Sequence, residues 1–306
     1  MNRRRIMFRT GRYGSPLGIL LFLLPGVGMY TLLELYPILQ SFAYSVIGWQ
    51  GMRPTWQYAG LQYYSRMLSD SVIPKALGNN LRAWFLYACV QIPVALLLAY
   101  ALSRKVRGAS LFRTLYFIPQ VTSATLLALL FRFLLTTEYG LNELLRRLGL
   151  GNLIRPWLSA NGVVQWTTNL PDAWVGVGFW VVVFLAAISG IPEELFEAAQ
   201  LDGANAWQEL RYVMLPSLSG ILVFANANAI INALGAYIYQ FVMTQGGPLH
   251  RSETLASYTL YWVWPRAHLP DWGYASALAV LQFALGIAGS VLVFRVAGWS
   301  KDRVGV

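Results

Sequence analysis

Apolar residues in this chain come in long runs rather than in a repeating stripe. Six runs reach the roughly 20 residues that a helix needs to cross a hydrocarbon core. They lie at about 17–36, 81–102, 111–135, 173–191, 218–242 and 274–297. Each predicts a membrane-spanning helix, and Pro119 predicts a kink in the third. No low-complexity linker or internal repeat divides the chain, so residues 1–306 read as one all-α integral membrane domain. One polar segment stands apart. Residues 192–216, PEELFEAAQLDGANAWQELRYVMLP, set acids, small residues and a glycine between the fourth and fifth spans.

Composition agrees with the runs. The chain is 57% apolar and 12% charged, against about a quarter charged in a soluble domain. Its net charge of +10 comes from cations beside the spans, which suits an anionic membrane face better than nucleic acid. Arg3, Arg4, Arg5, Arg9 and Arg12 precede the first span. Arg104, Lys105, Arg107 and Arg113 fill the short loop between the second and third, and Arg295, Lys301 and Arg303 mark the end of the last. Short basic segments stay cytoplasmic, so both termini and residues 192–216 are expected inside. The N-terminal run is long, contains Pro25 and has no small-x-small site, so it reads as an uncleaved span rather than a signal peptide. Cys89 stands alone inside an apolar run, and His250 and His268 read as solvated loop residues without metal-ligand spacing.

The polar segment has the grammar of two short helices. Pro192 suits a first helical position, and Glu193 and Glu194 favour the positive end of the helix dipole. Leu195, Phe196 and Ala199 supply an apolar stripe. The helix is expected to stop at Asp202-Gly203. A second follows with Trp207, Leu210 and Met214 on one face, and Pro216 ends it. An amphipathic pair resting on lipid would carry Lys and Arg on its polar face. This one is acidic, with Arg211 its one cation, which favours docking a protein partner.

Glu197-Ala198-Ala199, then Gly203, then Val213-Met214-Leu215-Pro216 resembles the EAA loop of ATP-binding-cassette importer permeases, with Val213 in place of the family's Ile. The stretches 107–121, 244–261 and 271–280 are similar to further segments of the sugar-type permeases, in the same order, so the resemblance covers nearly the whole chain. It implies a type I importer permease fold with six spans in a prokaryotic cell membrane. It also implies a coupling helix in which Glu197, Ala198, Ala199, Asp202, Gly203, Leu215 and Pro216 meet a cytoplasmic ATPase. The partners so implied are a second permease, two ATPase subunits that bind ATP and Mg, an external solute-binding protein, membrane lipid, and a sugar or polyol as substrate.

The chain holds no G-x-x-x-x-G-K-[ST] loop, so it is not expected to be an enzyme. Gly176 and Gly178 lie within a span and read as packing residues. No Asp, Glu or His is expected near the middle of a span, and Glu34 and Arg132 lie towards the outer ends of theirs. The fifth span is the most polar. At 100° per residue Asn228, Asn232, Gly235 and Tyr239 share one face, while Asn226, Tyr237 and Gln240 lie near the opposite one. Amides and rings suit a polyhydroxyl ligand, which nominates Asn228, Asn232 and Tyr239 for a substrate pathway, with Gln91, Gln120 and Gln282 as secondary candidates. The lack of a cationic cluster within the spans argues against a phosphorylated substrate. The rival reading is a self-contained channel or facilitator regulated through the acidic loop.

Overall fold

Helix lengths in the computed structural model follow the apolar runs, but the helices extend past them wherever polar residues can face protein. The structure describes residues 16–51, 57–104, 108–264 and 269–304. The cations of the N-terminal tail, Lys105, Arg107 and His268 lie outside the described residues. The first span, α1, runs Gly18–Tyr44. A two-residue antiparallel ladder pairs β1 (Ile47–Gly48) with β2 (Gln57–Tyr58), and α2 (Gln62–Ser69) leads into α3 (Val72–Ser103). After α4 (Ala109–Val121), α5 (Ala124–Leu134) and α6 (Leu141–Arg147) comes α7 (Val164–Ile188). The polar segment forms α8 (Glu193–Leu201) and α9 (206–217). It is followed by α10 (Ser219–Gly235), α11 (Ile238–Thr244), α12 (Leu255–Val263) and α13 (Trp272–Val304).

Five of the six expected spans are long and apolar enough to cross a membrane as single segments, and α10 with α11, interrupted at Ala236-Tyr237, makes one of them. The third is not. It is two helices bent by 102°. The bend falls at Thr122-Ser123, both extended, and not at Pro119, which stays within α4.

Three prolines are carried through the helices by widening the turn before them. A proline lacks its own donor and clashes with the carbonyl four residues back. Pro37, Pro93 and Pro216 each follow a π turn, at Thr31–Leu35, Tyr87–Gln91 and Glu209–Met214. In each the next amide bonds five residues back: Tyr36 N–H to Thr31, Ile92 N–H to Tyr87, Leu215 N–H to Leu210. The wider loop moves the obstructing carbonyl aside. Pro216 therefore does not end α9, which stays helical to Ser217.

The core forms where α3, α7 and α10 meet, around Leu96, Trp180, Phe184, Met214 and Ala225. Small residues set how closely the helices approach. A side chain on Gly178 would strike the Tyr116 carbonyl of α4. Helix α1 joins the rest through its last two turns, where Phe42 meets Phe283 edge-on at 5.6 Å. Its first half exposes apolar side chains all round.

The end opposite α8 is closed by a polar cap. Asp70 accepts from the hydroxyls of Tyr258 and Tyr274, both at 2.7 Å, and from the Val72 amide at 2.9 Å. Arg66 pairs with Asp271 at 2.9 Å and lies over the rings of Trp262 and Tyr274. Tyr63 is pushed up to about 12, first by burial and then by the Asp271 charge. Burial opposes ionisation of Asp70, yet the hydrogen bonds from Tyr274, Tyr258 and Val72, with Arg66, hold its carboxyl below the usual range. His250 belongs here too. It is part-buried between Glu253 and the rings of Tyr258 and Tyr261, not the solvated residue the sequence suggests.

Two predictions test this packing. Gly178→Ala should overpack the α4–α7 contact and cost about 1–3 kcal/mol, read as a lower melting temperature of the detergent-solubilised protein; an unchanged melt would refute the close contact. Asp70→Asn should cost about 1–2 kcal/mol at neutral pH. A lowered carboxylate stabilises above its unfolded pKa of about 3.9 and ceases to do so as pH falls through the lower folded value. The difference between the two melts should therefore vanish in that acid range, and a pH-independent difference would count against the assignment.

Candidate functional site

The polar segment is a projecting handle. Helix α8 has no buried residue. It starts at Glu193, one residue later than expected, with Pro192 in the capping position. Its end is as the sequence predicts. Asp202 caps the helix and Gly203 turns left-handed at φ +79°, with the Ala204 amide bonding Ala199 and the Gly203 amide bonding Gln200. This paired closure needs the positive φ that glycine supplies at no steric cost. Asn205 and Gln208 then cap α9 reciprocally. Around Glu197, Ala198 and Gly203 stand apolar side chains with nothing to cover them: Leu201 is 90% and Trp207 62% exposed. The expected Trp207–Leu210–Met214 face does not form. The π turn rotates Leu210 and Met214 into the core and leaves Trp207 outside.

The handle is tied to α3 by a contact the sequence does not announce. Glu209 is buried at 4% exposure. It pairs with Arg104, the residue just past the end of α3. The Tyr100 hydroxyl donates to the Ala206 carbonyl at 2.9 Å and lies 3.1 Å from the same carboxylate. Arg104 also sits over the Tyr100 ring. A buried acid needs a cation and donors to be tolerated, and here all of them come from the last turn of α3 and the residue after it.

A cavity of about 660 Å³ opens between α3, α7 and the two interrupted spans. Three departures from regular helix inside the bundle face it. Tyr87 and Gln91 come from the π turn of α3. Gln120 and Thr122 come from the α4–α5 elbow, and Ala236 and Tyr237 from a break between α10 and α11. Asn228, Asn232 and Tyr239 all line it, and Asn232 donates to Asn228 at 2.8 Å. Because the helix breaks at Ala236, Tyr237 lines the cavity as well, contrary to the two-face reading. Asn226 and Gln240 bind elsewhere, to the Leu222 carbonyl at 2.9 Å and Asn169 at 2.7 Å. Gln91 lies against Gly176, where any side chain would collide with it. Gln282 is remote, donating to Thr259 at 3.1 Å.

One lining residue lies outside the bounds expected for its span. Asp172 falls inside α7, not before it, in the first turn of the regular helix that starts at Leu170 and away from the middle of the span. Its Oδ2 accepts the Tyr87 hydroxyl at 2.5 Å. The apolar run that marks this helix begins only at position 173, so the polar turn before it carries no span signal in the sequence.

Loop 244–261 and α3 together hold the break open. Asn80 donates to the Ala233 carbonyl at 2.6 Å and accepts the Leu255 amide at 3.0 Å. Thr254 donates to the Ala236 carbonyl. Asn79 donates to the carbonyls of Arg251 and Glu253, both at 2.7 Å. Two adjacent amides of α3 thus satisfy backbone that the broken helix and the loop leave unpaired.

A bundle of apolar helices around a polar cavity, with an exposed helical handle between two of its spans, defines a membrane permease. The chain belongs to the family of binding-protein-dependent transport system inner membrane components, whose model matches residues 91–297. It is similar to the probable ABC transporter permease protein YurN of Bacillus subtilis, 31% identical over 92% of this chain and 97% of that one. It is also similar to the diacetylchitobiose uptake system permease protein NgcF of Streptomyces coelicolor, 29% identical over 95% and 82%. The fold matches that of a chain in the solved bacterial alginate ABC transporter in complex with an alginate-bound periplasmic protein. There the TM-score is 0.79 at 19% identity, over 94% of this chain and 95% of that one. The sugar-type ABC importer permease that the EAA spacing implies is thus the family to which the chain belongs.

Removing the charge that ties the handle to α3 should loosen it locally. Arg104 is 43% exposed, so Glu209→Gln should cost about 1.5 kcal/mol, the low end for a charged hydrogen bond. Amide exchange in 204–214 should then accelerate about tenfold, measured by hydrogen–deuterium exchange. Unchanged exchange there would mean the ion pair does not anchor the handle.

Proposed function

We propose that this chain is the membrane-spanning subunit of an ATP-driven importer and forms half of the pathway for a sugar or related polyol. The observation that carries this reading is the cavity wall, where Asn228, Asn232, Gln91 and Gln120 stand beside Trp180, Tyr237 and Tyr239. Amides donate to and accept from hydroxyl groups, and rings pack on sugar faces. In this reading both termini and the handle face the cytoplasm of a prokaryotic cell. A second permease completes the pathway, two ATPase subunits bind ATP and Mg, and an external binding protein delivers the sugar.

The mechanism is alternating access. Closure of the ATPases on ATP moves α8, whose small residues Ala198, Ala199 and Gly203 allow close approach and whose exposed Leu201 and Trp207 supply contact area. The motion passes through α9 and the Arg104–Glu209 pair into α3, where the π turn presents Tyr87 and Gln91 to the cavity. ATP can bias the equilibrium only as far as the handle's contacts differ between the two states.

Co-purification from the native membrane tests the assembly. An ATPase carrying a phosphate-cradling loop and a second permease should appear at comparable amounts by mass spectrometry. A stable, solitary chain would instead favour a self-contained channel. Coupling is tested by Gly203→Asp. Beyond its chain neighbours, no atom of the described residues lies within 4 Å of a Cβ at this position, so the new side chain projects toward a partner and not into its own fold. The left-handed backbone adds about 1 kcal/mol of strain. The variant should insert and assemble, yet lose most ATP-driven uptake in proteoliposomes while ATP is still hydrolysed. Normal coupled uptake would sink the mechanism.

A further inference from the structure

The polar wall of the cavity is lopsided in charge. Asp172 is the one ionisable acid among its described lining residues, and no Lys, Arg or His stands with it. Oδ2 is occupied by the Tyr87 hydroxyl. Asp172 has no salt-bridge partner among the described residues, in contrast to Glu209 and Asp271, which have arginines. Within α7 a regular helix restarts at Leu170, after the turn at Thr168-Asn169, and puts Asp172 in its first turn; the helix dipole favours an acid there, which accounts for its being tolerated. It does not account for the direction in which it points, into a cavity walled by amides, hydroxyls and rings.

We propose that Asp172 determines the charge class of the ligand. Building on the assignment of the cavity to a sugar, it makes the site one for donor-rich glycosides without negative charge and turns away sugar acids and sugar phosphates. Two properties combine. Tyr87 fixes the carboxylate through Oδ2, which leaves Oδ1 of this lining residue to accept from a hydroxyl or an ammonium group. The cavity also offers an anionic ligand no cation among its described lining residues, and a carboxylate in its wall would repel such a ligand at close range. Asn228, Asn232 and the glutamines contribute hydrogen bonds but do not discriminate by charge.

The test uses the intact membrane complex in detergent without its external binding protein, so that the selectivity read is that of the membrane subunits. Binding of maltose, glucosamine and glucuronic acid is followed by saturation-transfer NMR. Wild type should show contact with maltose and glucosamine and little or none with glucuronic acid. In Asp172→Asn the ratio of neutral to acidic sugar binding should fall by about 10- to 100-fold. Tyr87→Phe, which leaves the charge in place, should keep rejecting the acid. Should the Asn variant fail to assemble, Asp172→Ser carries the same expectation. Equal binding of glucuronic acid by wild type, or an unchanged ratio in the charge-removing variant, would overturn the role of Asp172 and leave the sugar pathway standing. Absence of any saccharide contact in wild type would overturn both.

Discussion

Within hydrocarbon, a backbone amide or carbonyl that leaves its helical partner has no water to turn to. That constraint governs where this chain can depart from regular helix, and hence where it can have a site. Departures occur at the elbow after Val121, at the break after Gly235 and at the three π turns. The break is affordable because Asn80 and Thr254 take its carbonyls, at the Ala233 and Ala236 positions. The elbow is capped by the Thr122 hydroxyl bonding back to Ile118. The π turns need no outside donor, since their i–5 bonds replace what the prolines remove. Irregular backbone carries exposed polar edges, and a cavity is where such edges gather without facing lipid. The elbow, the break and the central π turn all line the same one.

How much of this was legible follows from the same constraint. Apolar run length reports where a helix faces lipid, so it locates spans well and their polar ends badly. Asn79 and Asn80 fell before the run that marks α3, and Asp172 fell one residue before the run that marks α7. Both positions are helical, because their polar side chains face protein or cavity. A hydropathy reading counts a polar residue as an exit from the membrane even when it points inward. The break at Ala236 was also hidden. No proline or paired glycine marks it, and the donors that permit it, Asn80 and Thr254, are 156 and 18 positions from it. Likewise Pro119 was the natural place to expect a bend, yet the chain turned where the extended Thr122 and Ser123 found partners. Local chemistry was the reliable part. The closure at Asp202-Gly203 rests on φ at one residue and on two nearby amides, and it was readable from the motif alone.

The two candidate sites have opposite energetic characters, and the contrast bears on how one can drive the other. The handle leaves large apolar side chains uncovered and binds its own fold through few contacts. The cavity lies beside the packed core of α3, α7 and α10, and Tyr87, Asp172, Asn228 and Asn232 of its wall are hydrogen-bonded to one another in pairs. A loosely held element moves readily but transmits little, unless one joint in it is stiff. The Arg104–Glu209–Tyr100 cluster supplies that joint at the root of α9, and the π turn that absorbs Pro216 keeps α9 helical almost to the start of α10. Motion of the handle therefore has two continuous routes inward, through α3 to Tyr87 and Gln91 and through α10 to Asn228 and Asn232. Both routes end on the same cavity. A displacement that shifted α3 relative to α10 would act first on Asn80, which bridges them. The amide that makes the broken span tolerable in the membrane thus sits where handle movement would be felt.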